Sequence, residues 1–141
     1  TGMTGSSLDN SLFIAMRENS GERILKVNLA TNNITEKIFD NNDWVTKRLH
    51  VKGNQLIAIG GQNVNTYNLD LSGSDPTSVS HGKTLTRFGM TVLNDNAYLI
   101  GGDLGAEPEA EKILSWNIET ETLSELVWIN LDMSMLGRKQ C

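Results

Sequence analysis

The chain has 141 residues, 38% of them hydrophobic and 21% charged, and a formal net charge of −5. That apolar share belongs to a packed chain rather than a disordered or fibrous one, and the length suits one core or part of a larger one. A pI near 4.9 argues against electrostatic nucleic-acid binding, which needs clustered Lys and Arg against the phosphates. No apolar run reaches the eighteen or so residues of a membrane helix, and the first residues lack the basic-then-apolar order of a signal peptide. The single cysteine, Cys141, excludes an internal disulfide and a multi-cysteine metal site.

Taken in chain order, the predicted elements repeat. Gly2-Met3-Thr4 reads as an opening strand already under way at residue 1. A second strand follows over Ser11-Leu12-Phe13-Ile14-Ala15-Met16, and a third carries Val27-Asn28-Leu29. After a polar turn over 30–33, Ile34 to Phe39 forms a fourth. The next unit opens at Arg48-Leu49-His50-Val51, turns at Gly53-Asn54, and runs through Gln55-Leu56-Ile57-Ala58-Ile59 to Gly60-Gly61. Its third strand carries Tyr67-Asn68-Leu69, and a looser stretch over 72–76 precedes a weak run around Val79. A third unit opens at Arg87-Phe88-Gly89-Met90, turns at Asn94-Asp95, and repeats the apolar run as Asn96-Ala97-Tyr98-Leu99-Ile100 before Gly101-Gly102. Trp116-Asn117-Ile118 and a run over 122–128 complete it, and Arg138-Lys139-Gln140 opens another.

Short apolar runs bounded by Asn, Asp and Gly favour strands over helices, and those turn residues tolerate the positive φ of tight hairpins. No stretch of a dozen residues shows clean helical periodicity. Units of roughly 40–50 residues with four strands apiece are the signature of propeller blades. The predicted fold is all-β, with four antiparallel strands per blade. Blade 1 spans about 1–47, blade 2 about 48–86, blade 3 about 87–137, and a further blade begins at 138–141.

The runs Leu56-Ile57-Ala58-Ile59-Gly60-Gly61 and Ala97-Tyr98-Leu99-Ile100-Gly101-Gly102, each with an upstream Arg and a downstream Tyr67 or Trp116, resemble kelch repeats. The resemblance covers nearly the whole chain. The first unit departs from it by carrying Ala15-Met16 where the glycine pair is expected, and the usual later Trp is replaced by Asn33, Gly73 and Thr122. The resemblance implies a non-enzymatic scaffold that recognises a partner protein segment through loops at one face of the ring, as a substrate adaptor or a cytoskeletal or signalling scaffold. A sugar-binding or sugar-processing propeller, such as a sialic-acid epimerase type, is the alternative it leaves.

Propellers close with typically four to eight blades, so three leave two terminal faces uncovered. Either further blades of a longer polypeptide or a second copy must close the ring, and the longer polypeptide is the expectation.

Arg48, Arg87 and Arg138 recur once per unit and are candidate partner-binding residues, since equivalent innermost positions would converge on the axis and grip carboxylates. Pairing with a neighbouring blade is the preferred reading of all three. The connections after the apolar runs differ: 17–22 in the first unit, Gln62-Asn63 in the second, 103–111 in the third. Loops that vary on a rigid scaffold are where recognition concentrates, which makes Asp103, Glu107 and Glu109 candidates for basic partners. Their spacing matches no standard calcium loop. His50 and His81 have no companions at zinc spacing, and no nucleophile elbow surrounds any serine. No metal, cofactor or catalytic residue is therefore expected, and a cytoplasmic location is favoured slightly over secretion.

Overall fold

The computed structural model describes residues 2–18, 21–39, 47–73, 76–85, 88–100 and 113–126. Within them the chain forms strands throughout and no helix. The strands of the first sheet are β1 (Gly2–Ser6), β2 (Ser11–Glu18), β3 (Gly21–Asn28) and β4 (Ile34–Phe39). Those of the second are β5 (Arg48–Lys52), β6 (Gln55–Ile59), β7 (Asn63–Asn68) and β8 (Thr77–Ser80). The third holds β9 (Gly89–Leu93), β10 (Asn96–Ile100), β11 (Ile113–Asn117) and β12 (Thr122–Leu126). Each sheet keeps sequence order and is antiparallel throughout. Three such meanders, side by side with their first strands adjacent, are blades of an incomplete β-propeller.

Turn chemistry sets the hairpins. Asn94 and Asp95 lie at φ 48° and 62°, the positive pair that a two-residue turn of the primed kind requires, and Gly53 supplies φ 55° at the equivalent place in the second sheet. The outer hairpins of blades 1 and 3 are held by the asparagine of the recurring triplet. Asn28 Oδ1 accepts from the backbone N–H of Ala30 and Thr31, each at 3.0 Å. Asn117 Oδ1 accepts from Glu119 at 3.0 Å and Thr120 at 2.8 Å. The repeated Asn is thus a hairpin clamp that satisfies backbone donors the turn would otherwise leave open. In blade 2 the corresponding hairpin is longer, and Asn68 Nδ2 reaches instead to the Ser72 carbonyl at 3.3 Å.

Two apolar clusters join the blades. Phe13, Ala15 and Ile24 of blade 1 pack against Leu49, Leu56, Ala58 and Tyr67 of blade 2. Ile57, Ile59 and Val64 of blade 2 pack against Ala97, Leu99, Leu114 and Trp116 of blade 3. Alternate residues of β6 therefore serve opposite junctions, as the period-2 geometry of a strand demands when both faces are covered. Tyr67 and Trp116 are 4% and 2% exposed, so the large first residue of the triplet is what each blade pushes into its predecessor. At the inner end, Gly2 lies so close to the Lys47 carbonyl that a Cβ there would collide with backbone.

One expectation is corrected. Residues 17–22 do not form a loop: β2 and β3 continue through Arg17↔Glu22 and Glu18↔Gly21, leaving only 19–20 as the connection. Without a glycine pair to turn the backbone, the first blade's central hairpin simply runs further.

Removing the Trp116 side chain takes away the largest wedge at the second junction. Trp116→Ala is expected to lower unfolding free energy by about 3–5 kcal/mol, measured by urea denaturation. Gly2→Ala is expected to weaken the first junction through its clash with Lys47 while leaving the second unchanged.

Candidate interaction site

The antiparallel order gives the blades two unlike ends. One carries the tight turns at 7–10, 29–33, 53–54, 94–95 and 118–121. The other carries the connections that follow β2, β6 and β10 and the links between sheets.

Charges fasten the junctions at the hairpin end. Lys52, next to the Gly53 turn, places Nζ 2.9 Å from both Asp95 Oδ1 and Glu119 Oε1 of blade 3. At the other junction Lys26 pairs with Asp9, donates to the Leu69 carbonyl of blade 2 at 3.1 Å, and lies 5.5 Å from the Phe13 ring centre. A polar groove of about 500 Å³ opens beside it, lined by Asp9, Lys26, Asn54, Asn68 and Asp70. Burial alone would raise the Asp9 pKa, but hydrogen bonds from Lys26, Ser11 and Ser6 outweigh it and the net shift is downward. Asp70 is lowered as well, by hydrogen bonds from Ser72.

The connection end is organised by Gly60-Gly61. The Gly60 carbonyl lies 3.0 Å from His81 Nε2, and the Gly61 carbonyl accepts from Leu85 N–H at 2.7 Å. Lys83 N–H donates to His81 Nδ1 at 3.3 Å. Both ring contacts are met by the neutral tautomer with its proton on Nε2. The ring also meets Trp116 edge-on, with centroids 6.5 Å apart. The glycine pair thus offers its carbonyls to the link between blades 2 and 3.

Arg48 opens β5 at this end. Its Nε donates to the Phe88 carbonyl at 3.0 Å and its guanidinium carbon sits 5.6 Å from the Phe88 ring centre. The innermost strand of blade 2 is thereby tied to the segment that opens blade 3. Arg87, Arg138, Asp103, Glu107 and Glu109 lie outside the described residues. Because Ile100 pairs with Ile113, the connection bearing Asp103, Glu107 and Glu109 leaves blade 3 from the end at which Arg48 begins β5. Sequence reasoning passed over Lys26 and Lys52, and read His81 as a structural or solvated loop residue. For Lys52 a signal existed, since it adjoins one hairpin turn and Asp95 occupies the equivalent turn of the next unit. Among the described residues no group of three or more His, Cys, Asp or Glu side chains is placed to hold a metal ion, and no helix is long and apolar enough to cross a membrane.

No protein-family model matches the sequence, and no curated protein matches it. Solved structures do. A chain of a nidogen/laminin complex is 11% identical with a TM-score of 0.64, over 89% of this chain and 46% of that one. The extracellular domain of the hybrid two-component system BT4673 from B. thetaiotaomicron is 15% identical with a TM-score of 0.62, over 91% of this chain and 16% of that one. The Pan2 WD40 domain of Neurospora crassa is 14% identical with a TM-score of 0.58, over 89% of this chain and 37% of that one. At such identities the likeness is one of fold, and the chain spans less than half the length of each of these structures.

His50 faces the second junction. Burial lowers its pKa first and the Lys52 charge adds to this, with Asp95 opposing, so the folded value lies below the ordinary 6.5. The unfolded chain then takes up this proton first as pH falls, so the contribution is full above about 6.5 and is lost as pH drops towards the folded value. Melting temperature measured from about pH 8 to about pH 5 is expected to decline on the acid side, and His50→Gln to flatten that decline. The lowered carboxyls Asp9 and Asp70 act with the same sign in the range below 3.8.

Proposed function

We propose that the chain is a non-enzymatic interaction module of kelch type that holds a partner protein segment at the connection end of its blades, as a substrate adaptor or a cytoskeletal or signalling scaffold does. One observation carries this reading. The sheets repeat closely, whereas the connections that leave them at that end have three different lengths: 19–20, 60–62 and 101–112. Connections that vary on a scaffold held constant are where recognition can be tuned without disturbing the core.

The chemistry of those positions supports the reading. Asp103, Glu107 and Glu109 bring carboxylates onto a single connection, suited to Lys and Arg of a partner. Arg48, Arg87 and Arg138 would offer bidentate donors to acidic side chains towards the axis. Protein recognition is also consistent with the solved propellers of similar fold, one of which comes from a complex between nidogen and laminin.

Peptide display against the chain tests the proposal. Selected peptides are expected to lose about tenfold or more in affinity when Asp103→Asn, Glu107→Gln and Glu109→Gln are combined, or when Arg48→Ala is made, with the melting temperature as a control on folding. Selected peptides indifferent to both sets of changes would overturn it.

A further inference from the structure

The two junctions are built in one register, and they part company where blade 1 sends a long side chain across. Lys26 of β3 lies opposite Phe13, and Thr66 of β7 lies opposite Ile57 at the equivalent position. The facing blades correspond as well. Leu69 N–H donates to the Asn54 carbonyl and Ile118 N–H to the Asp95 carbonyl, each at 2.9 Å. At the first junction Lys26 Nζ lies 5.5 Å from the Phe13 ring centre and donates to the Leu69 carbonyl at 3.1 Å. Asp9 supplies the opposite charge.

At the second junction Thr66 is too short to make that crossing. A cleft of about 130 Å³ opens there instead, lined by Gln55, Ile57 and Thr66 of blade 2 and by Trp116, Ile118 and Glu121 of blade 3. An apolar cavity of about 150 Å³ takes one benzene molecule, so the space suits a single side chain. Its walls are apolar at Ile57, Trp116 and Ile118 and polar at the exposed Gln55 and Glu121. Glu121 makes no ion pair among the described residues, whereas Glu119 in the same turn is paired with Lys52. The Ile118 carbonyl stands in the place of the Leu69 carbonyl that accepts from Lys26.

We propose that this cleft receives a lysine side chain of a partner protein. Its methylene stem lies along Ile57 and Trp116, and its ammonium meets the Ile118 carbonyl and the Glu121 carboxylate. Glu121 takes the part that Asp9 plays at the first junction, since the 53–54 turn of blade 2 carries no carboxylate. A lysine buries its stem on apolar surface while its charged head stays near water, which is the order of groups from the floor of this cleft to its mouth. The chain supplies the template for the contact: it fills one junction with its own lysine and leaves the equivalent place at the next to be filled from outside. Gln55, Ile118 and Glu121 adjoin the hairpin end, away from the connections that carry the proposed interaction site, so the two sites stand or fall separately.

The test is an NMR titration of the isotope-labelled chain with Nα-acetyl-lysine methylamide, using the norleucine counterpart as the same stem without its ammonium. The Trp116 indole and Ile118 amide resonances are expected to shift and saturate with the lysine compound, and the norleucine compound to bind about tenfold or more weakly. Thr66→Lys places an internal ammonium in the cleft, as Lys26 does at the first junction, and is expected to abolish these shifts. Glu121→Gln, at an exposed position, is expected to weaken binding about threefold or more. The proposal is overturned by an absence of saturable shifts at Trp116 and Ile118, by equal binding of the norleucine compound, or by shifts that persist in folded Thr66→Lys. Were Thr66→Lys to unfold, Glu121→Gln decides, and unchanged affinity there overturns the proposal as well.

Discussion

Everything in this fold depends on a sheet being buried from both sides at once. A strand offers its side chains alternately to its two faces, so a middle blade must be apolar at nearly every central position. β6 meets that demand with Leu56 and Ala58 towards blade 1 and Ile57 and Ile59 towards blade 3. A one-residue slip would exchange the two sets and pair each junction with side chains shaped for the other. The large triplet residues Tyr67 and Trp116 are buried one in each junction and would be carried to the other face by such a slip. Nearer the axis, Gly2 lets one strand lie directly against the backbone of the next blade.

Polar groups finish what the apolar clusters begin. Each junction carries a lysine that crosses at the hairpin end, Lys26 to the Leu69 carbonyl at one and Lys52 to Asp95 and Glu119 at the other. The Lys26 crossing is part-buried, whereas the Lys52 pairs are solvent-exposed and each adds little by itself. At the opposite end the second junction is tied by Arg48, His81 and the glycine carbonyls. These contacts fix the angle between sheets, which apolar packing by itself leaves loosely defined.

The architecture was legible in the sequence because its signals are local. Turn residues, the glycine pair and the aromatic-Asn-aliphatic triplet each sit within a few positions of the structure they specify, and Ile34 to Phe39 was marked off by its polar flank alone. The correction at 17–22 has a physical origin. Arg17 and Glu22 look like loop residues by composition, yet they lie opposite one another and extend a ladder that runs past Ala15-Met16, the place of the glycine pair, to Glu18↔Gly21. The contacts of Lys26 and His81 were not legible, since each depends on which blade faces which and over what distance, whereas Lys52 and Asp95 were at least marked by their equivalent turns. Arg48 shows the division well. Its recurrence marked a position of consequence, but only geometry shows that its Nε is spent on the Phe88 carbonyl.

Sheet order has a bearing on how the chain comes to be folded. Every ladder joins strands consecutive in sequence, so each four-stranded meander needs only short closures, the cheapest kind in entropy and the quickest to form. Vectorial emergence from a ribosome would let one meander zip up before the next was synthesised, with each newcomer using the finished sheet as its template. Under such a scheme the asparagine clamps at Asn28 and Asn117 would hold the last hairpin of a sheet together before a following neighbour exists to support it.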